Sequence, residues 1–386
     1  MSNSKTSSVS YVYGLDVIRF LCALMVALFH LTWRRADSAY MMPLGWIGVQ
    51  VFFVISGVVI ANSAALATPS QFLKGRFMRL YPVAWVAALV NGGILLMVAR
   101  ADYQALGVNV VPQAGAFVRS FTLFADYFLA SAYWTLPIEL AFYGVIFTAL
   151  CLGGRNHFRL IARLLIVLSA VYAGLLFLAA QGRLDAPWLD LGYGLKNALL
   201  VRHGSYFAIG MYLWLYINRR TLGRIDGAFL LIALCACVLE MSSRAAELAG
   251  LFAAGDGGRI DAGTLAAVGS AAFFAFAGLI FLSLRHASRW IPAGRAKDWL
   301  RMFGLMTYPF YLVHEAVGGA ILHWALQAGL GTAAGLGGAL LVVGAVAYGI
   351  AAWGEPLARR WIGKPVDQLM RLLPDAKDIG EHPARQ

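Results

Sequence analysis

IRFLCALMVALFHLT, residues 18–32, is an apolar run long enough to enter a bilayer, yet it carries Arg19 near one end and His30 near the other. Residues eleven apart on an α-helix are rotated by about 20° net and separated by about 16 Å along the axis. Arg19 and His30 therefore share one face. Asp16, three residues before Arg19, lies on that face as well and can pair with the guanidinium. One stripe of this helix carries polar groups across most of a membrane, and such groups are costly unless they face a bundle interior or a wet cavity.

The rest of the chain repeats the apolar theme. Of 386 residues, 60% are hydrophobic and only 13% are charged, too apolar a balance for a water-soluble domain. Ten stretches are read as membrane spans, near residues 12–33, 45–67, 79–99, 133–153, 160–180, 202–218, 227–243, 264–284, 302–326 and 333–354. The chain is expected to be an all-α integral membrane protein of about ten transmembrane helices, divided into a transmembrane domain over 1–354 and a polar tail over 355–386. Lys and Arg number 31 against 19 Asp and Glu, a net charge of +12. With the N-terminus inside, twenty-one of the 31 basic residues fall on the cytoplasmic side, nine on the other, and Arg19 lies within the membrane. The positive-inside rule then places both termini in the cytoplasm and assigns the basic excess to topology, not to nucleic acid. The first run is interrupted by Asp16, Arg19 and His30 and lacks a small-residue cleavage site, so it is expected to stay as a helix. The cysteines, Cys22, Cys151, Cys235 and Cys237, all lie in apolar spans and suggest neither a disulfide framework nor a zinc site. No metal or bound cofactor is expected.

Four further segments carry chemistry. YWTLPIELAFY, residues 133–143, opens the fourth span with two interfacial aromatics and places Glu139 one to two turns deeper, near the depth expected of His30. A carboxylate beside an imidazole fixes its tautomer and raises its basicity, as a general base requires; the plainer reading of Glu139 is a structural ion pair with Arg202 or Arg35. FLKGRFMRLYP, residues 72–82, puts Lys74, Arg76 and Arg79 at or just before the third span, where a helix N-terminus and two guanidinium groups suit a phosphate. GLMTYPFYLVHEAV, residues 304–317, brings Tyr308, Tyr311, His314 and Glu315 to mid-membrane. VRHGSYFAIG, residues 201–210, presents Arg202 and His203 on the outer side, where they could hold a sugar or an anionic group, or anchor the helix end.

In this order the segments resemble the acyltransferase-3 family of bacterial membrane O-acyltransferases, which includes O-acetylases of O-antigens and exopolysaccharides. The resemblance is carried by GLDVIRFLCALMVALFH, with ten residues between Arg19 and His30, by GWIGVQVFFVISGVVI, by Arg76 and Arg79 with two residues between them, and by WTLPIELAFY, RHGSYFAIG and TYPFYLVHEAV. It covers nearly the whole chain, in the form without an added esterase-like domain. It implies a multi-pass protein of the bacterial inner membrane and an acyl-CoA donor, usually acetyl-CoA. The implied acceptor is a glycan or lipid-linked sugar hydroxyl met among membrane lipids. It also carries a functional expectation onto His30, Arg19, Arg76, Arg79 and Glu139.

The expected mechanism follows. CoA phosphates dock at Arg76 and Arg79, and the pantetheine arm passes Arg19 and Asp16. His30, oriented by Glu139, takes a proton from the acceptor hydroxyl as it attacks the thioester, or first accepts the acyl group itself. Arg202, Tyr311 and His314 are candidates for acceptor binding or oxyanion stabilisation. The competing class is a proton-coupled transporter of a small polar or anionic substrate, since the same polar stripe could relay protons. Against it, no inverted halves with paired broken helices are visible.

Overall fold

The computed structural model describes residues 11–35, 37–38, 41–98, 106, 114–124, 127–153, 157–185, 189, 191–219, 222–254 and 260–370. Within them the chain is helical, as a membrane core demands, because in hydrocarbon every backbone N–H and C=O must be satisfied within its own segment. The helices are α1 (Tyr13–Thr32), α2 (Ile47–Ala65), α3 (Pro69–Met97), α4 (Ala114–Thr122), α5 (Thr135–Cys151), α6 (Phe158–Ala180), α7 (Gly192–Ala198), α8 (Gly204–Arg219), α9 (Arg224–Ala254), α10 (Ala262–Arg285), α11 (Arg295–Gln327), α12 (Thr332–Gly349) and α13 (Glu355–Met370). Eight segments among the described residues are long and apolar enough to cross a membrane. The other two expected spans are also helices: α8 has only 16 residues, and α11 has 33 but is diluted by its buried polar side chains.

Close approach at glycine sets the packing. A Cβ at Gly57 of α2 would lie 2.2 Å from the Phe207 carbonyl oxygen, and one at Gly210 of α8 would lie 2.1 Å from that of Val54. The α2 and α8 backbones can touch only because both residues lack side chains, the small-residue contact typical of membrane helices. Helices α1 and α11 run parallel and in register. Asp16 lies against Gly304, the Phe20 and Phe303 ring centroids are 4.8 Å apart, and Leu31 lies against Gly318. Asn91 Nδ2 donates to the Leu312 carbonyl at 2.9 Å and Tyr308 Oη to that of Leu80 at 3.2 Å, tying α3 to α11.

Three sequence expectations change here. Helix α3 starts at Pro69, with Thr68 and Gln71 forming a reciprocal capping box, a full turn or more before the expected start. The last span does not end at 354: a π-helical turn over Ile350–Gly354 leads directly into α13, which returns to α3 through a Lys74–Asp367 ion pair at 2.6 Å. Of the expected polar tail, residues 371–386 lie outside the described residues. Finally, Tyr133 is not interfacial. It is fully buried and donates to the Ala84 carbonyl at 3.2 Å, so the tight turn Ser131–Trp134 enters the bundle and carries the start of α5 deeper than a surface-anchored helix would.

Candidate active site

Two cavities lie end to end along α1. The first, about 330 Å³, is lined by Asp16, Arg19, Arg76, Arg79, Glu139 and Tyr143 and reaches Thr135 and Tyr311 at its far end. The second, about 610 Å³, is lined by His30, Trp33, Gln50, Trp134, Arg202 and His203. Val49 lines both. Between them Thr135 Oγ1 and Tyr311 Oη sit 3.3 Å apart as a hydroxyl pair. Each volume falls within the roughly 300–1,000 Å³ of small-molecule sites.

In the arginine cavity the sequence grouping is largely realised. Tyr11 Oη donates to Asp16 Oδ2 at 2.6 Å, and Arg19 approaches the other Asp16 oxygen at 3.8 Å. Arg76 donates to Ser63 Oγ at 2.9 Å and lies 5.8 Å from the ring centres of Phe72 and Tyr143. Arg79 makes no hydrogen bond or ion pair among the described residues, and Arg76 Nε is buried without a partner. The expectation of a helix N-terminus at this point is corrected. Arg76 and Arg79 stand seven and ten residues after Pro69, beyond the first turn whose N–H groups are unpaired, so only their guanidinium groups face the cavity.

The expected partnership of His30 with Glu139 is not what the structure shows. Because the 131–134 turn is recessed, Glu139 lies in the arginine cavity, where it accepts a hydrogen bond from Tyr143 Oη at 2.6 Å. The carboxylate beside His30 is Glu315, with Oε1 at 3.2 Å from His30 Nδ1. Glu315 is 1% exposed and is fixed by Ser131 Oγ, donating to Oε1 at 2.8 Å, and by the Ala132 N–H, donating to Oε2 at 2.6 Å. The same recessed turn that removes Glu139 thus supplies the donors that hold Glu315.

His314 completes the arrangement. Its Nδ1 is 2.7 Å from the Tyr311 carbonyl, which can only accept, so Nδ1 carries the proton and Nε2 is left as an acceptor. That Nε2 is 3.0 Å from His30 Nδ1. His30 Nδ1–H therefore points into a cup formed by the Glu315 carboxylate and the His314 lone pair, and His30 Nε2 is left as the basic nitrogen. This tautomer is inferred from the network of partners. The same contacts leave His314 no ring nitrogen directed at an acceptor or an oxyanion. It is fully buried with one ring nitrogen on the Tyr311 carbonyl and the other on His30 Nδ1. Tyr311 places its hydroxyl in the septum beside Thr135, and Arg202 lines the histidine cavity with its guanidinium engaged by Glu240 and Glu247, each at 2.9 Å.

Fold and site together define a multi-pass helical membrane protein in which a buried carboxylate holds an imidazole at the edge of an open cavity. The chain belongs to the acyltransferase-3 family: an acyltransferase domain model matches residues 12–353. Two curated relatives are similar over part of their length. One, BcsY of Komagataeibacter xylinus, bears the name of a membrane-bound transacylase and is 33% identical over 174 residues, 41% of this chain and 42% of that protein. The other, the exopolysaccharide production protein ExoZ of Rhizobium meliloti (strain 1021), is 27% identical over 159 residues, 41% of each chain. The chain thus matches about two fifths of the length of each relative. No solved structure matches it.

Proposed function

We propose that this membrane acyltransferase moves an acyl group, acetyl in its simplest form, from acyl-CoA to a hydroxyl of a polysaccharide or lipid-linked sugar. The family match favours acyl transfer over the transporter reading, and the names of the two relatives support a polysaccharide acceptor. The basic bias of the sequence supports cytoplasmic termini in a bacterial inner membrane, with the arginine cavity facing the cytoplasm. In this reading CoA phosphates meet Arg76 and Arg79, and the pantetheine arm passes Arg19 toward the Thr135–Tyr311 septum.

The observation that carries the reading is the oriented His30. With Nδ1–H held by Glu315 and His314, Nε2 takes the proton of the acceptor hydroxyl as its oxygen attacks the thioester carbonyl. The new acyl–oxygen bond forms as the carbon–sulfur bond breaks, and the proton leaves from Nε2 to the CoA thiolate. Glu315 stabilises the imidazolium that exists between the two steps, as a buried carboxylate does beside a histidine base. Steady-state transfer by purified protein tests this. His30→Ala is expected to lose on the order of 10²–10⁴-fold in turnover while binding acyl-CoA as the parent does. Near-parental turnover would remove His30 from the chemistry.

A further inference from the structure

The histidine cavity holds a second set of polar groups that the chemistry at His30 does not use. Trp46, Gln50 and His203 all line it and are only 4, 4 and 5% exposed. Trp46 Nε1, Gln50 Oε1 and His203 Nδ1 are nonetheless buried with no hydrogen-bond partner among the described residues. A buried polar atom left unpaired costs about 1–3 kcal/mol, so these three, with Asn197 Nδ2 as a fourth around the same cavity, are not accounted for by the fold. Their chemistry is uncharged and mixed. An indole N–H only donates, a carboxamide oxygen only accepts, and a neutral imidazole nitrogen does one or the other. A sugar hydroxyl can meet all three, because it both donates and accepts.

The unpaired acceptor of Gln50 argues against an anionic ring at this point, and two of the cavity's cations, Arg202 and Arg244, are already paired. Arg202 is bound to Glu240 and Glu247, Arg244 is bound to Glu247 at 2.9 Å, Arg34 lies 4.7 Å over the Trp33 ring, and Lys196 also has a partner. A carboxylate only accepts, so it would have nothing to donate to Gln50 Oε1. The indole of Trp134 supplies an apolar wall of the kind that stacks on a pyranose face.

We propose that Trp46, Gln50 and His203 form a subsite for an uncharged sugar ring of the acceptor, which fixes the hydroxyl presented to His30. The proposal rests on the acyl-transfer reading for its role, but the binding it claims can be measured separately. The probes are methyl glycosides of glucose, galactose and mannose in both anomeric forms, together with the matching uronic acids. The variants are Gln50→Leu, which keeps side-chain bulk, and His203→Phe, which keeps the ring packed against Phe53, whose centroid is 5.0 Å away.

In the parent, at least one neutral glycoside is expected to bind by tryptophan fluorescence or calorimetry in preference to its uronic acid. Each variant should weaken that binding, and raise the acceptor KM, by about tenfold for a lost hydrogen bond. The KM for acyl-CoA and the thermal midpoint should hold, since an unpaired atom replaced by an apolar one removes a cost. Sugar binding that is present in the parent and lost in both variants would support the subsite even if no acyl group were transferred, in which case only the proposed function would fail. Binding of uronic acids alone, binding of no glycoside, or acceptor affinities untouched by both variants would overturn it.

Discussion

The two cavities differ in what their cations are doing. In the arginine cavity Arg76 holds a serine hydroxyl and faces two aromatic rings, and Arg79 has no ion-pair partner among the described residues, so positive charge remains for an anionic ligand. In the histidine cavity Arg202 and Arg244 are paired with Glu240 and Glu247, and the buried polar atoms without a hydrogen-bond partner among the described residues belong to Trp46, Gln50, Asn197 and His203. A count of arginines would rank the two sites alike. In the proposed reading these partners separate a phosphate-binding end from a hydroxyl-binding end, with His30 in the lining of the second.

The sharpest way to break this division is to thicken the wall between the cavities. Val49 is 7% exposed and borders both. Val49→Phe should block delivery of the thioester and lower acyl transfer on the order of a hundredfold, the scale of a displaced reacting group. Acyl-CoA affinity, measured on the same preparation, should change little. Parental transfer in this variant would mean that donor and acceptor meet by another route.

A smaller effect is expected at the donor end. Replacing both Arg76 and Arg79 by Gln removes two charge-assisted contacts, each on the order of 1.5–3 kcal/mol. The dissociation constant of acyl-CoA should rise at least about tenfold. The parent should discriminate acyl-CoA from a desphospho analogue and the double variant should not. Equal affinities throughout would leave these arginines as topology signals only.

The smallest effect on turnover belongs to Arg202, where the account expects a stability role. Arg202→Met strands the 5%-exposed Glu240, an uncompensated buried charge costing about 3–5 kcal/mol. The thermal midpoint should fall, and Arg202→Met combined with Glu240→Leu should recover part of the loss. A double variant no more stable than the single one would show that the pair is not the source of the effect.

Much of this was legible in the sequence. The polar stripe Asp16–Arg19–His30 followed from helical geometry, and every expected span is helical. The pairing at the site was not legible, for two reasons. The depth of Glu139 depended on treating Tyr133 and Trp134 as surface anchors, whereas the turn that contains them is buried against Glu315. The partner of His30 depended on the register of α1 against α11, two helices nearly three hundred residues apart. A usable signal did exist: α11 is the span least suited to lipid, carrying Tyr308, Tyr311, His314 and Glu315, and those groups needed a polar neighbour. The first helix offered one in His30. His203 stood out in the sequence as able to hold a sugar, but Trp46 and Gln50 gave less warning, since an isolated tryptophan or glutamine in a membrane span reads as an interfacial or packing residue until its missing partners are seen.

Which carboxylate serves His30 is decided most directly by a comparison of Glu315→Gln with Glu139→Gln. With acyl-CoA saturating, turnover should fall on the order of 10²-fold in Glu315→Gln, because the amide no longer stabilises the imidazolium or holds the Nδ1 proton in place. Glu139→Gln should keep near-parental turnover, with any change appearing in the affinity for acyl-CoA. The reverse pattern, with Glu139→Gln inactive and Glu315→Gln turning over normally, would contradict the assignment of Glu315 as the partner of His30.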